Sequence, residues 1–150
     1  MEIERKFLIT NPPPNYNSFP NHLIEQGYLS TDPVVRVRRE DDTYYLTYKS
    51  KGLLAREEYN LPLTKESYLH LIEKADGHIL TKTRYCIPVR DSDHLFIELD
   101  IFEGHFKGLM LAEVEFTTIE EAQSFTPPAW FGKDVTMSGE YQNSRLSQLT

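Results

Sequence analysis

The chain has 150 residues, enough for a substantial hydrophobic core, and we expect residues 1–150 to form a single domain. Charged residues make up 26% of the sequence and hydrophobic residues 39%, which is ordinary for a soluble globular protein. The formal net charge of −7 argues against a general nucleic-acid-binding protein, which would present a basic surface, but it allows a local basic site for a small polyanion.

Cysteine usage and hydropathy indicate a reducing compartment. Cys86 is the single cysteine, so no internal disulfide can form, and the chain shows neither a signal peptide nor a long apolar run. We therefore expect a cytoplasmic protein without a membrane partner. We interpret Cys86 as a packed strand residue, because a reactive thiol needs an accessible electropositive niche. The five histidines show no paired ligand spacing, so we expect no zinc site.

Short runs of alternating polar and apolar residues, separated by turn residues, predict antiparallel β-structure. In chain order, the predicted strands span residues 2–9, 25–30, 34–40, 44–49, 56–61, 79–90, 95–102 and 109–117. The predicted helices span residues 64–75, 119–125 and 141–148. Asp41-Asp42 predicts a hairpin turn, and Thr64 predicts an N-cap for the first helix, whose Leu69 and Ile72 should face inward. So many strands with so few helices predict a barrel or a sandwich.

The motif Glu2-x-Glu4-x-Lys6 opens the first strand. Successive side chains of a strand point to opposite faces, so these three charged side chains project together. Two carboxylates on one face suit a hard divalent cation, and a neighbouring lysine suits a phosphate that accompanies that cation. Short acidic repeats are common, so this motif alone is weak evidence.

Other strands repeat the alternation with charges of both signs. The pairs at alternate positions are Arg36 and Arg38, Lys82 and Arg84, Glu98 and Asp100, Glu113 and Glu115, and Arg56 and Glu58. A half-solvated sheet is the simplest explanation, but protein surfaces usually intersperse the two signs, and like charges repel across strands. In a closed barrel the charges would line the interior, where a metal ion and a phosphate chain would neutralise them. The apolar faces would then pack outward under helices, loops or a second copy of the chain, so a homodimer is possible.

These motifs, in order over nearly the whole chain, resemble those of the CYTH superfamily, the triphosphate tunnel metalloenzymes, and most of all its short bacterial inorganic triphosphatases. The matching segments are Glu2-x-Glu4-x-Lys6, Gln26-Gly27-Tyr28-Leu29, Arg36-x-Arg38, Thr47-Tyr48-Lys49, Arg56-x-Glu58-Tyr59, Lys82-Thr83-Arg84-Tyr85, Glu98-Leu99-Asp100 and Glu113-Val114-Glu115-Phe116. The resemblance implies a mainly β (α+β) fold, a closed antiparallel eight-stranded β-barrel with a few peripheral helices. It further implies that the lumen is a tunnel that binds a triphosphate together with Mg²⁺ or Mn²⁺.

The resemblance also implies roles for individual residues. The metal ligands would be Glu2, Glu4 and Glu115, with Glu113 and Asp100 as further candidates. The substrate-binding residues would be Lys6, Arg36, Arg38, Arg56, Lys82 and Arg84. Tyr28 and Lys49 would form a catalytic dyad, and Glu58 and Glu98 would be additional acidic residues of the tunnel. One departure is Gln142, which stands where relatives tend to carry a lysine in a Tyr-Lys-Asn-Ser-x-Leu segment.

The function predicted from these features is metal-dependent hydrolysis of inorganic tripolyphosphate to pyrophosphate and phosphate. Alternatives within the same superfamily are a nucleotide or thiamine triphosphatase and a class IV adenylyl cyclase. A further alternative is a non-catalytic sensor that binds polyphosphate or a nucleotide. Such a sensor would be expected to lack the metal-binding carboxylates or the dyad, and both are present, which favours an enzyme.

Overall fold

A computed structural model of residues 1–149 shows a mostly β structure with short helices. The strands are β1 (Glu2–Leu8), β2 (Asn21–Thr31), β3 (Val34–Glu40), β4 (Thr43–Lys49), β5 (Ala55–Arg56), β6 (Glu58–Pro62), β7 (Asp76–Pro88), β8 (Phe96–Glu103) and β9 (Met110–Glu115). The helices are α1 (Lys65–Ile72), α2 (Ile119–Ser124) and α3 (Asn143–Leu146). Among residues 1–149, none of the helices is both long and apolar enough to cross a membrane.

The strands form one nine-stranded antiparallel sheet in the order β5-β1-β9-β8-β7-β2-β3-β4-β6. The two end strands, β5 and β6, are separated only by Glu57 in the chain. β5 pairs with β1 and β6 pairs with β4, so the segment 55–62 joins the two edges of the sheet into a nearly closed barrel. The predicted β-barrel with few helices is confirmed. The strand count is nine instead of eight because the strand predicted at 56–61 is divided at Glu57.

Most predicted strands are present, with shifted ends. β2 begins at Asn21 and β7 at Asp76, several residues earlier than predicted, because the two strands pair with each other well beyond their alternating segments. Asp41, with φ of 53°, occupies the left-handed region in the turn between β3 and β4. The hairpin predicted at Asp41-Asp42 is therefore confirmed.

Helix α1 begins as predicted but packs through a different residue. The Thr64 side chain accepts a hydrogen bond from the Ser67 backbone N–H at 3.1 Å, which confirms the N-cap. The prediction that Leu69 faces inward is wrong, since Leu69 is 50% exposed. Tyr68 is buried instead, and its hydroxyl donates to the Glu25 carboxylate at 2.7 Å on the outer face of β2. Ile72 is half-buried.

The close approach of α1 to the sheet depends on Gly27 of β2. A Cβ atom at this position would lie 2.7 Å from Ala75 Cβ and 2.8 Å from Ile72 Cδ1, well inside van der Waals contact. Only glycine therefore allows the end of α1 and the residues after it to pack this closely on the barrel wall.

The main apolar core lies outside the barrel wall formed by β1, β9, β8 and β7. Its buried residues are Ile3, Phe7, Ile9, Ile87, Leu95, Ile97, Leu99, Ala112, Val114, Phe116 and Ala122. Helix α2 and aromatic residues from outside the strands, among them Tyr16, Phe125 and Trp130, cover this face. The apolar side chains of these strands thus point outward, as a barrel with a charged interior requires.

A second apolar cluster fills one end of the barrel interior. Leu80 lies two residues before Lys82, Phe102 two residues after Asp100, and Leu111 two residues before Glu113, so all three point inward like the charged residues. Tyr28 of β2 and Leu146 of α3 complete this cluster, which we call the inner plug. The charged part of the lumen is therefore closed at the end next to the inner plug. The alternation of charges alone did not predict this closure.

Candidate active site

The charged part of the lumen is a cavity of about 430 Å³. The predicted site residues that line it are Glu2, Glu4, Lys6, Tyr28, Arg36, Arg38, Lys49, Arg56, Glu58, Arg84, Glu98, Glu113 and Glu115. Lining residues that were not predicted are Glu40, Thr43, Tyr44, Tyr45, Asn60, Pro62 and Asn143. Glu40, Tyr45 and Asn60 share the inward parity of the charged residues on their own strands, so alternation could have found them. Asn143 belongs to α3, and no strand periodicity points to it.

Carboxylates without a cationic partner gather on the β1–β9 side of the cavity. Glu4 of β1 pairs in register with Glu115 of β9, and neither makes an ion pair with any residue of the described chain. Burial, followed by repulsion from Glu113 and Glu2, raises the pKa of Glu4 to about 8. Burial and the charge of Glu2 also raise the pKa of Glu115. This side of the cavity therefore disfavours the ionised forms of its carboxyl groups, and a bound cation would stabilise them.

Arginines without an anionic partner lie on β3. Arg36 and Arg38 are only 5% and 6% exposed, and within residues 1–149 no carboxylate lies within ion-pair distance of either guanidinium. Arg36 donates to Thr47 Oγ1 at 3.3 Å and its Nε is buried without a partner, while Arg38 Nε donates to Gln26 Oε1 at 2.7 Å. Burial, together with the charge of Arg36, lowers the pKa of Arg38. A buried guanidinium without a counter-charge is a site for an anion.

Other cations of the cavity are already paired. Lys6 Nζ lies 3.4 Å from Glu113 Oε1. Burial acts to lower the pKa of Lys6, but the negative charges of Glu113 and Glu4 outweigh burial and raise the pKa. Arg84 Nη1 donates to Glu98 Oε2 at 3.0 Å. These pairs fix the positions of the positive charges in the cavity wall.

Lys82 and Asp100 do not line the cavity. Their side chains are 0% exposed, and Lys82 Nζ donates to Asp100 Oδ2 at 2.7 Å and to Asn143 Oδ1 at 3.3 Å. Asp100 also accepts from Arg84, from Nε at 2.7 Å and from Nη2 at 2.9 Å. Burial lowers the pKa of Lys82 to about 8 despite the opposing charge of Asp100. The pair lies beneath the cavity wall, where it supports Arg84 and Asn143.

Tyr28 and Lys49, the predicted dyad, line the same cavity. Lys49 Nζ donates to both carboxylate oxygens of Glu2, at 2.9 and 3.1 Å, and lies 3.4 Å from Glu58. Tyr28 is 2% exposed and packs in the inner plug. No hydrogen bond joins the two side chains in the described structure, so a dyad would require Lys49 to turn away from Glu2.

The candidate metal ligands are near one another but are not arranged around one point. Within residues 1–149, no three His, Cys, Asp or Glu side chains already form a coordination geometry. Glu2 is turned toward Lys49, and Arg56 Nε lies 3.5 Å from the same Glu2 oxygen. A divalent cation would therefore have to draw Glu2 away from its lysine.

Comparison with known proteins places the chain in a family. The CYTH domain profile matches residues 1–149. The chain is 40% identical to an inorganic triphosphatase of Nitrosomonas europaea over 97% of this chain and 96% of that protein. It is 34% identical to an inorganic triphosphatase of Acetivibrio thermocellus over 97% of this chain and 92% of that protein. A crystal structure of an inorganic triphosphatase superposes on the whole chain and on 96% of its own, with a TM-score of 0.75 and 36% identity. The chain therefore belongs to the CYTH family.

Proposed function

We propose that this protein hydrolyses inorganic tripolyphosphate to pyrophosphate and phosphate in its charged cavity, with Mg²⁺ or Mn²⁺ as the cofactor. One observation carries the proposal: a single closed-ended cavity holds buried arginines without anions, Arg36 and Arg38, together with carboxylates without cations, Glu4 and Glu115. A polyphosphate bound with a divalent cation satisfies both sets at once. The relatives named as inorganic triphosphatases support this choice of substrate.

The arginines and lysines bind and orient the substrate. Guanidinium groups donate two parallel hydrogen bonds to phosphoryl oxygens, so Arg36, Arg38 and Arg84 suit successive phosphoryl groups of a linear chain. Asp100 holds Arg84 by two hydrogen bonds, which fixes the direction of its remaining N–H groups. Lys6 and Arg56 add positive charge at the cavity wall. Because phosphoryl transfer spreads negative charge over equatorial oxygens, cations fixed in this way stabilise the transition state.

The donor chemistry of the β1–β9 side fits a hard divalent cation. Glu2, Glu4 and Glu115 would hold it, with Glu113 beside them. Burial and then repulsion from Glu113 and Glu2 raise the pKa of Glu4, and such an ion would offset both effects by favouring the ionised carboxylate. A bound Mg²⁺ or Mn²⁺ would polarise a phosphoryl group and lower the pKa of bound water. Asp100 fits poorly as a ligand, because its oxygens already accept from Lys82 and Arg84.

Tyr28 and Lys49 are the candidate groups for taking the proton of the attacking water. Both line the cavity, and Tyr28 is next to the closed end. Within residues 1–149, Tyr28 makes no side-chain hydrogen bond, so its phenol can bond to a water or a substrate oxygen in the cavity that it lines. The dyad, the cytoplasmic location and a homodimer remain predictions.

Phosphate release by the purified protein tests the proposal. Tripolyphosphate, ATP, thiamine triphosphate and pyrophosphate are offered separately with Mg²⁺, and the ATP reactions are also tested for cyclic AMP. We expect release from tripolyphosphate that is lost in Glu4→Gln. Preference for ATP or thiamine triphosphate would replace the proposed substrate, and cyclic AMP would indicate a cyclase. Metal-dependent binding of tripolyphosphate without turnover would indicate a sensor.

A further inference from the structure

Asn143 lies at the boundary between the cavity and the inner plug. It is the first residue of α3, it is 9% exposed, and it lines the cavity together with Lys6, Tyr28 and Arg84. Leu146, one turn further along α3, is part of the inner plug. The Tyr141 carbonyl accepts a hydrogen bond from Lys6 Nζ at 3.0 Å. The C-terminal segment therefore contributes to the wall of the cavity at its closed end.

The orientation of the Asn143 amide follows from its partner. A lysine ammonium has only donors, so the group that meets Lys82 Nζ at 3.3 Å is the amide oxygen. The NH₂ group lies on the other side of the planar amide, directed away from Lys82. In the described part of the chain it donates to no residue. Because Asn143 lines the cavity, its N–H groups are the part of the side chain left to face the lumen.

The buried pair below Asn143 holds this orientation. Lys82 has no exposed surface and is neutralised by Asp100, so it cannot itself reach a ligand in the cavity. Its hydrogen bond to Asn143 Oδ1 prevents the amide from turning its oxygen toward the lumen, where it would repel phosphoryl oxygens. The three residues form a chain from the barrel interior to the cavity wall.

We propose that Asn143 is a substrate-binding residue whose amide N–H donates to a phosphoryl oxygen at the closed end of the cavity. This inference rests on the proposed binding of tripolyphosphate. A neutral donor complements the cations elsewhere on the wall without adding to their mutual repulsion. The terminal phosphoryl group that enters farthest is the one that Asn143 contacts, since the inner plug lies directly behind it.

Two substitutions separate the donor role of Asn143 from its structural role. Asn143→Asp keeps an acceptor for Lys82 but replaces the donor by an anion, so we expect an unchanged or higher Tm and strongly weakened binding. Asn143→Leu removes donor and acceptor while keeping the number and branching of the side-chain heavy atoms, and it should weaken binding by about tenfold, the usual effect of one hydrogen bond to a charged group. Binding of tripolyphosphate is measured by calorimetry with EDTA at fixed salt, and KM is measured with Mg²⁺.

Asn60→Asp is the matched control, because Asn60 also lines the cavity and the substitution adds the same charge. We expect it to weaken binding by a clearly smaller factor than Asn143→Asp does. Equal weakening by both aspartates would show a general charge effect and overturn the proposal, as would wild-type affinity in Asn143→Asp. If Asn143→Leu does not fold, the two aspartate variants decide the question.

The binding measurement also separates this proposal from the proposed function. Asn143-dependent binding of tripolyphosphate by a wild-type protein that does not hydrolyse it would support Asn143 and refute the triphosphatase. Hydrolysis of tripolyphosphate with an unaltered KM in Asn143→Asp would support the triphosphatase and refute the proposed role of Asn143. A wild-type protein that neither binds nor hydrolyses tripolyphosphate would refute both.

Discussion

Replacing Asp100 by asparagine should destabilise the protein strongly. The carboxylate is 0% exposed and accepts hydrogen bonds from Lys82 at 2.7 Å and from Arg84 at 2.7 and 2.9 Å. A neutral amide would leave the buried Lys82 ammonium without a counter-charge, next to Arg84, which would keep only Glu98 and Glu113 as anionic partners. Removing one partner of a buried ion pair typically costs about 3–5 kcal/mol. We therefore expect Asp100→Asn to lower the free energy of unfolding by about that amount.

Urea denaturation in EDTA, followed by the fluorescence of the single tryptophan, Trp130, measures this loss. With an m value of about 2 kcal/mol/M, the expected loss moves the unfolding midpoint down by about 2 M. The metal-free condition matters, because a ligand role for Asp100 would appear only with the ion present. KM for tripolyphosphate should rise as well, because Arg84 loses the carboxylate that aligns it.

Lys82→Met is the control for this substitution. It leaves Asp100 paired with Arg84, so the remaining charges balance and the midpoint should fall less than in Asp100→Asn. A midpoint shift below about 0.5 M for Asp100→Asn without metal would correspond to less than about 1 kcal/mol and would refute a structural role. Full stability combined with lost metal dependence would instead establish Asp100 as the metal ligand that the family resemblance implies.

Two further predictions concern catalysis and pH. Tyr28→Phe should lower the turnover of tripolyphosphate by about 10²–10⁴-fold if the phenol takes part in proton transfer, and full turnover would refute that role. Protonated His94 donates hydrogen bonds to the carboxylates of Asp93 and Glu121, which raises the pKa of His94, and His94 contributes to lowering the pKa of both carboxyl groups. The contribution of His94 to the free energy of unfolding is complete below pH 6.5 and is lost as the pH rises through the raised pKa of His94. The contributions of the two carboxyl groups to the free energy of unfolding are lost below pH 4.5. The Tm difference between wild type and His94→Gln should therefore be largest between these pH values, and a difference independent of pH would refute the reasoning.

Alternation in the sequence predicted which side chains enter the lumen, because strand parity decides only between two faces. The inward faces at Glu2, Arg36 and Glu113 follow from that rule alone. Alternation does not show how far along the barrel axis a side chain lies. This position distinguishes Arg84, which lines the cavity, from Lys82, which is buried beneath it. Register between strands sets this position, and it depends on long-range pairing that one sequence does not show.

Contacts between distant segments account for the other differences. Tyr68 instead of Leu69 faces the sheet, because the position of α1 on the outer wall is set by its contacts with Glu25 and Gly27. Asn143 enters the site from a short helix whose place is determined by the inner plug. Neither arrangement leaves a periodic signal in the sequence.

The unpaired arginines make the stability of the protein depend on its ligand. Arg36 is 5% exposed with a buried Nε that has no partner, so the protein without ligand bears the cost of desolvating its charge. Methionine fills a similar volume without that cost. We expect Arg36→Met to keep or raise the free energy of unfolding without ligand, by up to about 2 kcal/mol, while weakening substrate binding.

Thermal unfolding with and without tripolyphosphate in EDTA tests this dependence. At a ligand concentration of about 100 times Kd, binding stabilises the native state by about 2.7 kcal/mol, which raises Tm by roughly 5–10 °C for a chain of this size. The rise should be much smaller in Arg36→Met. It should be unchanged in Lys51→Met, which removes one charge from an 88% exposed side chain outside the cavity. If Arg36→Met is less stable than the wild type but shows the same increase in Tm with tripolyphosphate, Arg36 stabilises the fold and does not bind the anion. The reason is that removing a residue changes the ligand-induced increase in Tm only if that residue contributes to ligand binding.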